Sequence, residues 1–171
     1  DLSKMATDLR LLSSGPYGGI GEINLAPLQP GSSIMPGKVN PVIPESLNQV
    51  YYFVSGKNLT VHQAAEAANL ELAVMFPVLA DALITSLKLV DSALNIFADK
   101  CIALLTVNQD RCLQLLENST ALATLFTPRL GYDTVSKLVT EAVTTHQSFK
   151  EVLLKKHHLL SPVAYNHIIN S

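Results

Sequence analysis

Charged side chains are scarce in this sequence. They make up 15% of its 171 residues, against about 25% in an average globular protein. Twelve basic and fourteen acidic residues leave a net charge of −2, so the chain lacks the basic excess that binding to nucleic acid or to an anionic membrane requires. Apolar residues reach 48%, which excludes intrinsic disorder. Because so little charge is available to cover the surface, we expect part of that surface to contact other chains.

Cysteine is scarce as well. Cys101 and Cys112 form neither a disulfide framework nor a zinc pattern, and two plain thiols suit the reducing cytoplasm, where we place the protein. The sequence shows no signal peptide, and Asp or Lys interrupts each apolar stretch before the roughly 18 residues that a membrane span needs. The five histidines show no ligand spacing, so we predict no metal site and assign no cofactor.

Glycine and proline are concentrated in one segment. Six of the eight glycines and four of the nine prolines lie between positions 15 and 37, which predicts a long loop over about 14–40. A loop of this length in a compact protein is ordinarily functional or disordered. Before it, apolar residues repeat on one helical face, at Leu2, Met5, Leu9 and Leu12. The chain thus opens at Asp1, inside a helical pattern, as we expect of a piece of a longer protein.

A second helix is predicted to begin directly after the loop. Asn40 is a favourable N-cap and Pro41 suits the first helical position. Apolar residues then repeat on one face, at Ile43, Leu47, Val50 and Val54. We expect Gly56 to break or kink this helix. A further helical stretch over about 60–72 is predicted from its content of Ala, Glu and Leu.

The longest helix is predicted over about 77–105. Its polar residues form one narrow stripe, and nearly all of its other residues are apolar. The stripe consists of Asp81, Thr85, Lys88, Ser92, Asn95 and Asp99. A helix that is apolar over most of its circumference lies inside a bundle. At about 1.5 Å per residue it spans roughly 40 Å, so partner chains or a further part of the same chain must cover it.

The remainder of the chain, from about 107, alternates short helical patterns with loop signals, and no strand alternation stands out. We therefore predict an all-α protein. Residues 1–106 would supply long helices of a central bundle, and residues 107–171 would form a small C-terminal helical domain.

The densest chemistry lies in the loop, where residues 31–41 read GSSIMPGKVNP. This is not a Walker A phosphate loop, because five residues separate its glycines, Val39 follows the lysine and no strand precedes it. The Gly-x-Gly-x-x-Gly motif of a dinucleotide site and the Gly-x-Ser-x-Gly motif of a nucleophile elbow are also absent. The segment offers two hydroxyls, the Lys38 cation and free backbone N–H groups near a helix start. Together these suit a reaction that develops negative charge on a carboxylate.

This segment resembles the signature loop of the aspartase/fumarase superfamily. The lead-in DLSKMATDLRLLSSGP, the approach GEINLAPLQPGSS and the helix start NPVIPESLNQV resemble the aspartate ammonia-lyases. The segment that begins at Asn108 and contains Cys112 and LLENS is similar to the family's small C-terminal domain. Class II fumarases typically read NPTQCE where this chain reads NPVIPE, which favours the ammonia-lyase branch. The chain would then be the C-terminal part of such an enzyme.

The resemblance implies a reaction in which L-aspartate loses ammonia to give fumarate. Ser32 would be the general base that takes the proton beside the β-carboxylate of the substrate. Ser33, with the backbone N–H groups of Ile34 and Met35, would stabilise the resulting aci-carboxylate.

The resemblance also implies three further roles. Lys38 would pair with a carboxylate of the small dicarboxylate substrate. Asn40 would orient the substrate and the loop. Glu45 would partner a histidine elsewhere in the active site. Without this resemblance, each residue has an ordinary explanation. A Ser-Ser pair beside glycine is common in loops, and Lys38 would be a solvated surface charge. Glu45 would be an acidic residue that the helix dipole favours in the first turn.

Enzymes of this family assemble each active site from three segments on different subunits of a homotetramer. Only one of those segments is recognisable here, so the resemblance implies that the isolated chain is inactive. Two alternatives stay open. The protein could be a class II fumarase that acts on malate and fumarate, or a non-catalytic helical oligomerisation module that retains the loop unused.

Overall fold

The computed structural model describes residues 1–169 and divides them into two compact units, Asp1–Asn108 and a second unit that begins at Gln109. Both are helical, so the all-α prediction is confirmed. The first unit contains α1 (Leu2–Leu12), β1 (Ile23–Asn24), α2 (Val42–Glu66), α3 (Phe76–Phe97) with a π-helical extension (Ala98–Ile102), and β2 (Thr106–Val107). The second contains α4 (Gln109–Asn118), a 3₁₀-helix (Thr120–Phe126), α5 (Thr127–Leu130), α6 (Tyr132–Thr145), α7 (Phe149–Glu151) with a π-helical extension (Val152–Lys156), and α8 (Pro162–Ile169).

The core of the first unit joins α1, α2 and the end of α3. It is formed by four buried residues, Ala6, Leu47, Phe97 and Cys101. The apolar face predicted for α1 is confirmed in part: Leu2 and Leu9 pack against this cluster, whereas Met5 is exposed.

Helix α2 runs unbroken through Gly56 to Glu66, so the predicted break at Gly56 is wrong. A single glycine costs a helix about 1 kcal/mol relative to alanine, and contacts along α2 outweigh that cost. Among them, Lys57 forms an ion pair with Asp81 of α3 at 3.3 Å. Nothing lies within 4 Å of the position that a Cβ of Gly56 would occupy, so the glycine faces open space.

Helix α3 and its π-helical extension cover 76–102, close to the predicted 77–105. Ala82 and Phe97 are its buried residues, while Leu83, Ile84 and Leu87 lie exposed. Much of the apolar circumference expected to contact other helices is therefore uncovered in this chain. No helix in residues 1–169 is both long enough and apolar enough to cross a membrane.

The first half of the long loop forms one strand of a two-stranded antiparallel sheet, which was not predicted from the sequence. Ile23 of β1 faces Val107 of β2, and Asn24 faces Thr106. Strands of two residues are too short to show an alternation pattern. Beside the sheet, the backbone N–H of Glu22 donates to the carbonyl of Leu12 at 3.0 Å. The loop therefore returns to the end of α1 before it continues to the GSSIMPGKVNP segment.

The second unit has its own aromatic core. The ring of Phe126 lies 5.5 Å from that of Phe149 and 5.2 Å from that of Tyr165, centre to centre. Ser148 and Glu151 form a reciprocal capping box at the start of α7, which satisfies helix donors that otherwise lack partners.

Candidate active site

The segment singled out in the sequence, residues 31–41, forms a loop with a narrow neck; we call it the Ser32 loop. At the neck, the backbone of Gly31 approaches that of Lys38 so closely that a Cβ on Gly31 would lie 1.7 Å from the Lys38 carbonyl oxygen. Only glycine fits this position. The side-chain amide of Asn40 donates to the Gly31 carbonyl at 2.5 Å. The neck is therefore closed by backbone contact and by one side-chain hydrogen bond.

The tip of the Ser32 loop is a tight turn. The N–H of Lys38 donates to the carbonyl of Met35 at 3.3 Å, across Pro36 and Gly37. Gly37 has φ +77°, and proline followed by a glycine of positive φ is the residue pattern of a type II turn. The turn leaves Lys38 exposed, and its side chain forms no ion pair with any of the described residues.

Ser32 lies at the centre of a small group of hydrogen-bond donors. Its Oγ accepts from the backbone N–H of Ile34 and from that of Met35, at 3.2 Å each. Two donors aimed at one hydroxyl oxygen stabilise negative charge on that oxygen and so favour loss of its proton. The side chain of Ser33 next to it is exposed, and Ile34 is 83% exposed.

The structure thus brings together some of the residues singled out in the sequence. Ser32 and the N–H groups of Ile34 and Met35 form one cluster, in which both N–H groups point to Ser32. Lys38 and Asn40 lie at the neck. Ser33 makes no side-chain hydrogen bond within residues 1–169. Glu45 lies apart from the cluster, half-buried in the first turn of α2.

Asn40 is not the N-cap of α2, and that prediction is wrong. The helix begins at Val42, with Pro41 as the N-cap residue and no side-chain cap. Its first backbone bond runs from Glu45 N–H to the Pro41 carbonyl at 3.0 Å. The amide of Asn40 is instead engaged with Gly31. The side chain that the pattern assigned to the helix therefore closes the loop.

A cavity of about 10 Å³ lies beside the loop, lined by Leu25, Asn40, Cys101 and the start of α2, among others. It has room for a single water molecule and is too small for a dicarboxylate. Burial raises the pKa of the Cys101 thiol, which therefore stays protonated at neutral pH. The Ser32 cluster opens to the surface and not into this cavity.

Within residues 1–169, no three His, Cys, Asp or Glu side chains lie where they could share a metal ion.

One polar residue that the sequence reading missed is Asn48, which is 3% exposed. Its amide nitrogen donates to the Ser3 carbonyl and to Ser3 Oγ, both at 2.9 Å, and to Thr7 Oγ1 at 3.2 Å. Its carbonyl oxygen accepts from Arg10 Nη1 at 3.1 Å. The one signal in the sequence is that Asn48 follows Leu47, which belongs to the predicted apolar face of α2. A polar residue beside such a face needs partners, but its partners in α1 are distant in sequence.

This chain is similar in sequence to known lyases. The family described as "Lyase" matches residues 1–56, which include α1 and the whole Ser32 loop. The aspartate ammonia-lyase of Corynebacterium glutamicum is 48% identical over 155 residues, which are 91% of this chain and 30% of that protein. The aspartate ammonia-lyase of a Bacillus species is 43% identical over 170 residues, which are 99% of this chain and 36% of that protein. The chain is similar to the aspartate ammonia-lyases over most of its own length.

Two solved lyase structures are similar to this chain in fold. Fumarate lyase:delta crystallin from Brucella melitensis, bound to cobalt, is 44% identical and superimposes with a TM-score of 0.92 over 99% of this chain and 36% of its own. The class II fumarase of Schistosoma mansoni is 37% identical, with a TM-score of 0.85 over 98% of this chain and 35% of its own. The chain spans about a third of the length of these relatives.

Proposed function

We propose that this chain carries the general base of an ammonia-lyase that converts L-aspartate into fumarate and ammonia. The observation that carries the proposal is the pair of N–H groups aimed at Ser32 Oγ. A free serine hydroxyl is a very weak base, and hydrogen bonds to its charged form lower the cost of forming it. The similarity to enzymes named aspartate ammonia-lyase supports the choice of substrate.

In the proposed reaction, the Ser32 alkoxide takes a proton from the carbon beside the β-carboxylate of aspartate. The electron pair of that C–H bond moves into the carboxylate, which becomes a dianionic aci-carboxylate. The pair then returns to form the C=C bond of fumarate as the C–N bond breaks and ammonia leaves. Once the proton is on Ser32, its Oγ no longer carries the charge, so the N–H groups of Ile34 and Met35, with Ser33, are released to stabilise the aci-carboxylate. The proton on Ser32 finally passes to the released ammonia or to water, which restores the alkoxide.

Lys38, Asn40 and Glu45 have supporting roles in this proposal. The exposed Lys38 ammonium pairs with a substrate carboxylate. Asn40 holds the neck of the loop through Gly31 and so sets where Ser32 and Lys38 lie. Glu45, in the first turn of α2, partners a histidine from another part of the enzyme.

We further propose that other segments complete the site in a homotetramer. The Ser32 cluster is open to the surface, and Leu83, Ile84 and Leu87 of α3 are uncovered, as expected of helices that contact further helices in the assembled enzyme. We expect the 171-residue chain alone to be inactive, because it supplies a base without an enclosed pocket around the substrate.

A second candidate function is that of a fumarase, which would remove water from malate by the same loop chemistry. The structural likeness to the class II fumarase of Schistosoma mansoni favours it. The third possibility is a non-catalytic helical module in which the Ser32 loop has no substrate.

A paired assay on the whole protein separates the three. Fumarate is followed by its ultraviolet absorbance, with L-aspartate as substrate in one reaction and L-malate in the other. We expect fumarate from aspartate alone. Fumarate from malate alone would identify a fumarase, and fumarate from neither would favour the non-catalytic module.

The base is tested with Ser32→Ala in the whole protein. We expect kcat to fall about 10²–10⁴-fold, the range that a general base contributes, with the oligomer retained by size-exclusion chromatography. Ser46→Ala is the matched control, because Ser46 is an exposed serine of α2 outside the loop, and it should keep normal turnover. A Ser32→Ala enzyme of near-normal rate would show that another group is the base.

A further inference from the structure

Asn48 lies outside the Ser32 loop, but its hydrogen bonds connect α1 and α2, the two helices that precede and follow the loop. The loop leaves the end of α1, at Leu12, and enters the start of α2, at Val42. Asn48 belongs to the second turn of α2, and all of its hydrogen-bond partners belong to α1. They are spread from Ser3 to Arg10, over two turns. Asn48 therefore sets both the distance and the register between the two helix ends.

A short series of helical residues and hydrogen bonds connects Asn48 to Ser32. Less than two helical turns join Asn48 to Val42, and Val42 N–H donates to the Asn40 carbonyl at 2.9 Å. The side chain of Asn40 then holds Gly31, directly before Ser32. At the other end, Leu12 accepts a hydrogen bond from Glu22. A shift of α2 along α1 would therefore move the neck relative to the first half of the loop.

We propose that Asn48 is a positioning residue that places Ser32 for proton abstraction. This inference rests on the proposed function of Ser32. An apolar residue of similar size would fill the same volume, but it could not select one register, because hydrogen bonds are directional whereas apolar contacts are not. The two N–H groups of Asn48 are shared among three acceptors on Ser3 and Thr7, and its oxygen accepts from Arg10. A slide between the helices would therefore lengthen several of these bonds together.

The experiment compares Asn48→Ala, Asn48→Asp and Gln49→Ala in the whole protein. Asn48→Asp keeps an acceptor for Arg10 but has no donor for Ser3 and Thr7, whereas Asn48→Ala keeps neither. Gln49→Ala is the matched control, since Gln49 is the next residue of α2 and is exposed. All rates are measured at a temperature where circular dichroism shows each variant folded.

We expect kcat to fall in the order wild type, Asn48→Asp, Asn48→Ala, by about tenfold and about 10²-fold, the latter being the cost of a misplacement of about 1 Å. KM should change by less than about threefold, because the long Lys38 side chain can still reach a substrate carboxylate while Ser32 Oγ has no such freedom. Gln49→Ala should match the wild type.

A second readout does not depend on turnover. Hydrogen exchange of the Ile34 and Met35 amides reports whether the Ser32 cluster is intact, and we expect Asn48→Ala to accelerate it about tenfold while the amides in the middle of α2 stay protected. A structural role alone predicts lower thermal stability with unchanged kcat and unchanged loop exchange, and that result would overturn the inference.

The two proposals can fail separately. If the wild type acts on neither substrate, or if Ser32→Ala stays active, the proposed function fails, while loop exchange in Asn48→Ala still decides whether Asn48 positions the loop. If Asn48→Ala does not fold, Asn48→Asp and Thr7→Val, which removes one partner hydroxyl, provide the same comparison. Normal kcat and normal loop exchange in both would overturn the role of Asn48.

Discussion

The neck of the Ser32 loop provides a sharp test of how geometry supports function. A methyl group at Gly31 would lie 1.7 Å from the carbonyl oxygen of Lys38, whereas Cβ atoms in proteins essentially never approach another atom to less than 3.0 Å. The neck of a Gly31→Ala variant must therefore widen by roughly 1.3 Å, the difference between these two distances. That movement also strains or breaks the hydrogen bond from Asn40 to Gly31.

The effects of Gly31→Ala on rate and on stability should differ greatly. A displacement of about 1 Å between reacting groups lowers turnover about 10²-fold. The free energy of unfolding should fall by no more than about 1–2 kcal/mol, because one partly buried hydrogen bond contributes about 1 kcal/mol and the loop is otherwise exposed. We therefore expect a folded enzyme with about one hundredth of the wild-type kcat/KM.

The assay is fumarate release by the whole protein, together with a urea unfolding curve. Gly18→Ala is the matched control: Gly18 belongs to the same long loop, and a Cβ there would meet nothing within 4 Å. It should leave both the rate and the unfolding curve unchanged. If Gly31→Ala kept its rate within about threefold of the wild type, the neck would not control the position of Ser32, and a rate cost of about 10²-fold for a displacement of about 1 Å would be refuted.

Two further predictions concern stability. Gly56→Ala should raise the free energy of unfolding by about 1 kcal/mol, because Gly56 lies inside a continuous helix and faces open space; a destabilised variant would contradict this. Hydrogen bonds from Lys156 and His157 hold the pKa of the Glu141 carboxyl below its usual range. Its contribution to stability is therefore present above about pH 4.3 and lost as the pH falls through the lower pKa of the folded state. The melting temperature of the wild type should thus approach that of Glu141→Gln as the pH falls below about 4.3, whereas parallel curves would exclude this linkage.

Features of the fold that depend on local pattern were predictable from the sequence. The apolar repeat of α1 and the narrow polar stripe of α3 each recur over several turns, and both helices lie close to where these patterns place them. The unbroken α2 was not predictable in the same way. The low helix propensity of Gly56 predicts a break, whereas the observed helix is continuous and packs along α3. These contacts with α3 are distant in sequence.

In the candidate site, too, local sequence patterns were predictive but contacts distant in sequence were not. Its residue types and their order identified Ser32, Lys38 and Asn40 as a group, but no sequence rule indicates that the amide of Asn40 bonds Gly31 and does not cap α2. A cap would use the side-chain oxygen of Asn40 as an acceptor, whereas the bond to Gly31 uses its side-chain N–H as a donor. The contact with Gly31 depends on how the loop folds back, which the sequence pattern does not show. Asn48 was overlooked for a related reason, since its partners in α1 precede it by 38 to 45 residues.

Because α2 is long, its Glu66 end can affect the position of the Ser32 loop at its Val42 end. The helix spans 25 residues, or roughly 36 Å at 1.5 Å per residue. If its far end at Glu66 acts as a pivot, a tilt of a single degree displaces Val42 by about 0.6 Å, which already matches the tolerance of about 0.5 Å within which catalytic groups must be held. Contacts at the Glu66 end of α2 therefore affect the position of Ser32, in addition to the bonds of Asn48 near the start of the helix. Substitutions that disturb those contacts should therefore alter turnover from more than 30 Å away.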